Sequence, residues 1–198
     1  GRHYGVKLEH PPAHPGFMGL ALPWRSGAQH KELLSRARHL AFFIVITRDH
    51  EAGRVTLDPR GQPRLHYRLS QYDARHLLRG VAESFRIHAA AGALEIGGPH
   101  SGLAPYRAGE DLEAYLRQVE ALGCAPNLIL LFTAHQMGTC RMGGLRSRSV
   151  LDPQCQSWDV RNLYLTDAST FPTPSGVNPM ITIMAVAHRA AQIIKTKL

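Results

Sequence analysis

The apolar residues of this chain occur in short runs, and this feature most limits the folds open to it. The longest runs are residues 40–46 and 128–132, whereas a helix that crosses a bilayer needs roughly 20 apolar residues. The sequence therefore predicts neither a transmembrane segment nor a signal peptide. Hydrophobic residues make up 44% of the 198 residues and charged ones 19%, so the chain can bury a core and disorder is not expected.

Helical signals predict four helices, over about residues 28–46, 71–91, 110–122 and 179–195. Ser70 is a favoured N-cap for the second helix, and Gly92 is a natural stop. Asn178 is the predicted N-cap of the last helix, with Pro179 at its first position. This helix is apolar nearly all round, so we expect most of it to be buried. Residues 42–47 are rich in β-branched and aromatic residues, so a strand is the alternative there.

Four further segments have the character of strands. Arg54–Leu57 and Arg64–Leu69 flank a turn that contains proline and glycine, which predicts a β-hairpin. The apolar run 128–132 predicts a buried strand, and residues 162–166 predict another short one. The sequence therefore predicts a mixed α and β fold, of the α+β class.

Cysteine and histidine usage indicates no metal centre. Cys124, Cys140 and Cys155 are widely spaced and form no zinc-binding or disulfide pattern, which favours a reducing, intracellular compartment. The twelve histidines are dispersed, and His10 and His14 lie among prolines that oppose a metal-binding helix.

The chain is basic, with 23 Lys and Arg against 15 Asp and Glu and a formal net charge of +8. Such a charge suits nucleic acid, an anionic membrane surface or an anionic cofactor. The densest group is Arg141, Arg146 and Arg148, and glycines at 143 and 144 interrupt it. Because the basic residues are scattered, nucleic-acid binding is disfavoured, and membrane association is left open.

Two residues have the chemistry of an alcohol-oxidising site. His135 follows the apolar run 128–132, and imidazole is suited to general acid–base work near neutral pH. Asn178 precedes the last helix, whose N-terminus favours negative charge. Each also has a purely structural interpretation, His135 as a satisfied strand-end residue and Asn178 as a helix cap. The loop 138–145 lacks the Lys and Ser/Thr of a phosphate-binding loop, and no G-x-G-x-x-G motif follows a strand.

Three segments, in order along the chain, resemble the C-terminal part of the glucose–methanol–choline (GMC) family of FAD-dependent oxidoreductases. They are residues 134–143 (AHQMGTCRMG), residues 160–169 (VRNLYLTDAS) and residues 176–182 (GVNPMIT). The sequences of these segments are similar to those of the long-chain fatty-alcohol oxidase branch. Residues 88–93 (HAAAGA) are similar to the substrate domain of that branch.

This resemblance implies roles for individual residues. His135 would lie against the flavin as the catalytic base, and Asn178 would be its partner at the substrate hydroxyl. Asp167 and Ala168 would contact FAD near its ribityl and phosphate groups. The start of the last helix would lie near the pyrimidine edge of the flavin, through Pro179, Met180, Ile181 and Thr182. The implied reaction oxidises an alcohol, favoured as a long aliphatic one, to an aldehyde or ketone, with proton abstraction and hydride transfer to flavin.

The resemblance also implies how the chain is organised. Residues 1–126 would belong to a substrate-binding region with an antiparallel sheet and covering helices. Residues 127–198 would complete an FAD-binding domain with a strand and the last helix. The family's glycine-rich FAD-binding segment is not in the sequence, which starts at Gly1 rather than Met. We therefore expect a fragment whose partner is the missing N-terminal FAD-binding portion, inactive and poorly stable when isolated.

Two other classes stay open. A truncated, catalytically inactive chain could act as a binding module. A basic nucleic-acid-associated domain is the other class, but it leaves the three ordered segments unexplained.

Overall fold

A computed structural model describes residues 5–197. The chain divides into two compact units. The first unit combines the residues up to Gly53 with Tyr67–Phe132, and the second combines Arg54–His66 with Thr133–Leu198. The assignment of residues 1–126 and 127–198 to two functional regions stays a prediction.

The elements confirm the α+β class. The helices are α1 (Pro15–Ala21), α2 (Gly27–Ser35), α3 (Gln71–Ala90), α4 (Leu112–Leu122) and α5 (Met180–Lys195), with 3-10 turns at Ala37–His39, Arg146–Arg148 and Ala168–Thr170. The strands are β1 (Val6–Glu9), β2 (Ile44–Thr47), β3 (Arg54–Leu57), β4 (Pro63–His66), β5 (Glu95–Ile96) and β6 (Tyr106–Arg107). They pair as three antiparallel two-stranded sheets, β1 with β2, β3 with β4 and β5 with β6.

The core of the first unit lies between α3, α4 and the β5–β6 pair. Its buried residues are Val81, Phe85, Ile96, Tyr106, Tyr115, Leu116 and Val119. The Ser70 hydroxyl caps α3 by accepting from the Asp73 backbone N–H at 3.0 Å, as predicted. The left-handed backbone of Gly92, with φ of +83°, follows the helix end and confirms the predicted stop.

Asp73 ties the start of α3 to the turn after β2. Its carboxylate is buried and accepts from the His50 backbone N–H at 2.9 Å and from the Ser70 hydroxyl at 2.7 Å. The nearby Asp49 carboxyl has a raised pKa because it is partly buried and because Asp73 repels its charge. Burial, with Asp49 and then Asp73 as further causes, raises the pKa of Tyr67 to about 12. Negative charge therefore accumulates beside this junction.

The first predicted helix is wrong beyond Ser35. Helix α2 ends there, and Ile44–Thr47 forms β2, which confirms the strand alternative. Its residues pair with β1, for instance Val45 with Leu8. Branched side chains fit a pleated sheet better than a helix, and the pairing satisfies the backbone that a helix would have satisfied. The predicted hairpin is confirmed, although its second strand stops at His66.

The predicted strands at 128–132 and 162–166 are wrong. The first makes one bridge, between Ile129 and His100, and its leucines and Phe132 are 37–58% exposed. No second strand flanks it within residues 5–197, so its apolar side chains have no sheet face to enter. The second is a single bridge at Tyr164, preceded by Asn162 in a left-handed conformation that interrupts strand geometry.

Helix α5 forms as predicted but is not mostly buried. In the described chain only Ala190 of this helix is fully buried, because α5 contacts the rest of its unit mainly through its C-terminal half. Arg189 donates to the Pro153 carbonyl at 2.6 Å, and Lys197, just beyond the helix, donates to the Tyr164 hydroxyl at 2.9 Å. Across residues 5–197, no helix combines the length and apolarity needed to cross a membrane.

Gly80 allows α3 to pack directly on β1 and β2. A Cβ built on Gly80 would lie 2.5 Å from Val6 Cγ2 and closer still to Val45 Cγ1. We expect Gly80→Ala to destabilise the first unit by about 1–3 kcal/mol, the usual cost of overpacking, although alanine is the better helix former. Thermal or urea unfolding measures the effect. The matched control is Gly27→Ala in α2, where the added methyl meets open space; equal stability of the two variants would contradict the packing argument.

Asp49→Asn tests the charge beside Asp73. Because the folded-state pKa of Asp49 is raised, folding favours its protonated form, and stability is lost as pH rises through that pKa. We expect the variant to melt at a higher temperature than wild type at pH 7. At a pH low enough to protonate the carboxyls of Asp49 and Asp73, the two proteins should melt at the same temperature. Circular dichroism follows the melting. Glu120→Gln, at an exposed position of α4, should give no gain, and a gain for Asp49→Asn that persists in acid would refute the electrostatic origin.

Candidate active site in the second unit

His135 lies half-buried in an irregular loop and not at the end of a formed strand. The neighbouring Gln136 side chain donates to the Thr133 carbonyl at 3.0 Å, which closes the turn before the histidine. Within residues 5–197 the imidazole makes no hydrogen bond or ion pair. Its ring nitrogens are therefore available to a ligand, and the structural interpretation of a satisfied histidine is not supported.

Backbone hydrogen bonds fasten the loop after His135 to the turn that contains Ala168. The Cys140 N–H donates to the Ser169 carbonyl at 2.9 Å, and the Met142 N–H donates to the Thr170 carbonyl at 2.8 Å. The structure thus brings two of the three predicted site segments together.

Gly138 fits this junction for two reasons. Its φ is +84°, a conformation that side chains rarely adopt. A Cβ at this position would also lie 3.4 Å from the Phe171 carbonyl oxygen. The close approach of the histidine loop to the turn therefore suits glycine here.

Asp167 caps the 3-10 turn Ala168–Thr170. Its Oδ1 accepts from the Ser169 backbone N–H at 2.8 Å and from the Ser169 hydroxyl at 2.5 Å. The Thr170 side chain is buried and donates to the Asp167 carbonyl at 2.8 Å. These contacts hold an exposed carboxylate in one orientation, and such a carboxylate can accept hydrogen bonds from hydroxyl groups.

Asn178 caps α5 from one residue further out than predicted. Pro179 is the N-cap, and its side chain makes no capping hydrogen bond. The Asn178 side-chain oxygen still accepts from the Met180 N–H at 3.2 Å. The first helical bond runs from the Ile183 N–H to the Pro179 carbonyl, so the earlier N–H groups of α5 have no carbonyl one turn back.

The first turn of α5 combines these N–H groups with exposed apolar side chains. Met180 is 60% and Ile181 is 69% exposed, and Met184 on the next turn is 61% exposed. Thr182 is exposed beside them. An apolar surface edged by N–H donors and a positive helix end can hold a flat aromatic group with carbonyl oxygens on its rim.

The structure does not join all of the predicted residues. His135 and Asn178 belong to the same unit, but no hydrogen bond links them in the described chain. Their convergence on one substrate stays a prediction. Among residues 5–197 no group of three or more His, Cys, Asp or Glu is arranged to bind a metal.

Sequence reasoning missed a cleft beside the histidine loop. Its volume is about 590 Å³, and it is lined by Thr139, Arg141, Arg146, Ser147, Arg148, Ser149 and Val150. The sequence indicated a group of arginines interrupted by glycines. Of those glycines, Gly143 donates its N–H to the Leu151 carbonyl at 3.0 Å, and the arginines on both sides of the glycines line the same cleft.

Comparison with known proteins agrees with this geometry. Residues 49–187 match the family model described as GMC oxidoreductase. The long-chain-alcohol oxidase FAO1 of Arabidopsis thaliana is 34% identical, over 97% of this chain and 26% of its own length. A 2-methyl-1,2-propanediol dehydrogenase of Mycolicibacterium austroafricanum is 46% identical over 32% of this chain and 11% of its own length.

An FAD-dependent oxidoreductase from Chaetomium thermophilum shares the fold. Its structure has a TM-score of 0.54 and 20% identity, covering 92% of this chain and 35% of that one. The chain spans about a quarter of the length of the long-chain-alcohol oxidase that it matches. With its family model, its relatives and its fold in agreement, the chain belongs to the GMC oxidoreductase family.

Proposed function

We propose that this chain supplies the catalytic base of an FAD-dependent enzyme that oxidises a long-chain aliphatic alcohol to the carbonyl compound. The observation that carries the proposal is His135, an imidazole without a protein partner in the described chain, in a loop fastened to the Ala168–Thr170 turn. The name of the Arabidopsis relative supports the long-chain alcohol. The name of the bacterial relative, a diol dehydrogenase, supports alcohol oxidation generally.

The residues present fit FAD. The oriented carboxylate of Asp167 suits the hydroxyl groups of a ribityl chain, and Ala168 beside it leaves room for that chain. The exposed first turn of α5, from Met180 to Thr182 after the buried Pro179, offers apolar surface and N–H donors suited to a flavin ring and its carbonyl edge. Bound FAD would supply a two-electron acceptor for the hydrogen on the alcohol carbon.

The chain's own residues would handle the proton. An unprotonated ring nitrogen of His135 would take the proton of the substrate hydroxyl as general base. The oxygen of the Asn178 amide is already engaged by the Met180 N–H, so its Nδ2 group is left as a donor to the substrate oxygen. A base and a donor on the same oxygen stabilise the negative charge that develops there.

The exposed apolar surface of the second unit supports a protein partner for this site. The first turns of α5 leave Met180, Ile181 and Met184 largely open. The long-chain-alcohol oxidase relative is about four times as long as this chain. We infer that a glycine-rich FAD-binding portion, of the kind absent from this sequence, covers this surface and completes the cofactor site.

His135→Ala tests the base. In the chain joined to or coexpressed with the FAD-binding portion, we expect a long-chain alcohol to reduce the flavin at least about 10²-fold more slowly, the usual scale for a general base. Rapid-mixing absorbance follows the bleaching of the flavin. His188→Ala, an exposed histidine in the second half of α5, is the matched control and should keep the wild-type rate.

The same preparation separates the remaining interpretations. Equal flavin content with an unchanged rate in His135→Ala would remove His135 from the chemistry. If neither the chain alone nor the completed protein retains flavin, the inactive binding module is the correct alternative. Reduction by short but not long alcohols would keep the reaction and reject the substrate class.

Asn178→Asp distinguishes the role of Asn178 as a cap of α5 from its proposed role as a hydrogen-bond donor to the substrate oxygen. Aspartate keeps an oxygen for the Met180 N–H but has no Nδ2 donor, and its charge opposes a developing negative oxygen. We expect this variant to melt like wild type and to be reduced by alcohol at least about 10-fold more slowly. Asn178→Ala should also lose about 1 kcal/mol of stability with its cap. Wild-type reduction rates in both variants would leave Asn178 as a helix cap alone.

A further inference from the structure

The cleft that contains Arg141, Arg146 and Arg148, called here the arginine cleft, is a second cluster of polar and charged residues in the second unit. The proposed alcohol oxidation assigns no role to these residues. Arg141, Arg146 and Arg148 line one space of about 590 Å³ together with Thr139 and Ser147. All five residues are exposed, so solvent and ligands have access to the cleft.

The charges of this cleft are only partly compensated. Arg146 pairs with Asp159 at 2.6 Å. Within residues 5–197, neither the Arg141 nor the Arg148 side chain makes an ion pair or a hydrogen bond. Between residues 133 and 198 the chain has seven Lys and Arg against three Asp and no Glu. Basic residues therefore outnumber acidic ones throughout this part of the chain, and few carboxylates are available to neutralise the arginines of the cleft.

The backbone that carries these arginines is held in place. The Val150 N–H donates to the Arg141 carbonyl at 3.0 Å, and the Gly143 N–H donates to the Leu151 carbonyl at 3.0 Å. The Ser149 hydroxyl donates to the Leu145 carbonyl at 2.8 Å and accepts from the Trp158 indole N–H at 2.9 Å. The backbone positions of the three arginines around the cleft are therefore held by hydrogen bonds.

We propose that the arginine cleft binds a phosphate group. Guanidinium presents parallel N–H donors that match two oxygens of phosphate, and two of the three arginines have no competing carboxylate in the described chain. The Thr139 and Ser147 hydroxyls add neutral donors to the remaining oxygens. The phosphate is either free or part of a lipid headgroup. Leu145, 60% exposed, and Val150, 43% exposed, flank the arginines and offer apolar contact to the lipid form.

Paired charge-matched variants test the site without alcohol or flavin. Arg141→Gln with Arg148→Gln removes two charges inside the cleft, and Arg161→Gln with Lys195→Gln removes two exposed charges outside it. Binding is measured by calorimetry with inorganic phosphate and by cosedimentation with phosphatidylcholine vesicles with and without phosphatidic acid. We expect the cleft variant to bind at least about 10-fold more weakly than wild type, and the outside variant to bind like wild type.

The two binding measurements distinguish free phosphate from the phosphate of a lipid headgroup. Cleft-dependent binding of inorganic phosphate identifies a site for the free ion, and cleft-dependent binding of acidic vesicles alone identifies a lipid headgroup. Equal weakening of both double variants, or no binding by wild type, overturns the proposal. Circular dichroism checks that each variant is folded, and Arg141→Lys with Arg148→Lys, which keeps the charge but not the paired donors, should restore binding only in part.

Discussion

The second unit depends on main-chain hydrogen bonds between loops. Between residues 133 and 179 it has only bridges and 3-10 turns, so regular secondary structure does not satisfy its backbone. The bonds from Cys140 and Met142 to the Ala168–Thr170 turn take over that task. Leu151 and Cys155 of the same unit are fully buried, and unsatisfied backbone groups in such an interior would be costly.

The first unit is stabilised in a different way. Its core is formed by two amphipathic helices and short strand pairs, so burial of apolar side chains provides most of the free energy. Local polar contacts set where the elements begin: the Asp73 carboxylate accepts from the Ser70 hydroxyl at the start of its own helix and from the His50 N–H in the turn after β2. The absence of a side chain at Gly80 sets how closely helix and sheet approach. A first unit stabilised by helix packing and a second unit built from loops therefore respond to different substitutions.

Helix ends and hairpin turns depend on interactions between residues that are close in sequence, and these features were predicted from the sequence. Helix α3 begins at its capping residue Ser70, α3 and α4 are each followed by a glycine, and the β3–β4 hairpin has its turn between alternating residues, so these elements were predictable. The run 128–132 and helix α5 were predicted to be buried from their apolar content alone. Burial needs a second surface, and neither periodicity nor capping specifies one. The His135–Asn178 pair has the same character: each residue was identified from its neighbours, but convergence depends on tertiary structure.

The loop that contains His135 carries both the proposed base and Arg141 of the proposed phosphate site. The backbone hydrogen bonds of this loop decide how the two sites influence each other. Arg141 lies between Cys140 and Met142, whose N–H groups are both bound to the Ala168–Thr170 turn. A phosphate drawn to the Arg141 side chain therefore cannot displace the backbone without breaking two hydrogen bonds. Its influence on the half-buried His135 would therefore be electrostatic, and salt screens such an influence over about 10 Å at ordinary ionic strength. An occupied arginine cleft would thus act on the base through its charge and not through a shift of the backbone at Cys140 and Met142.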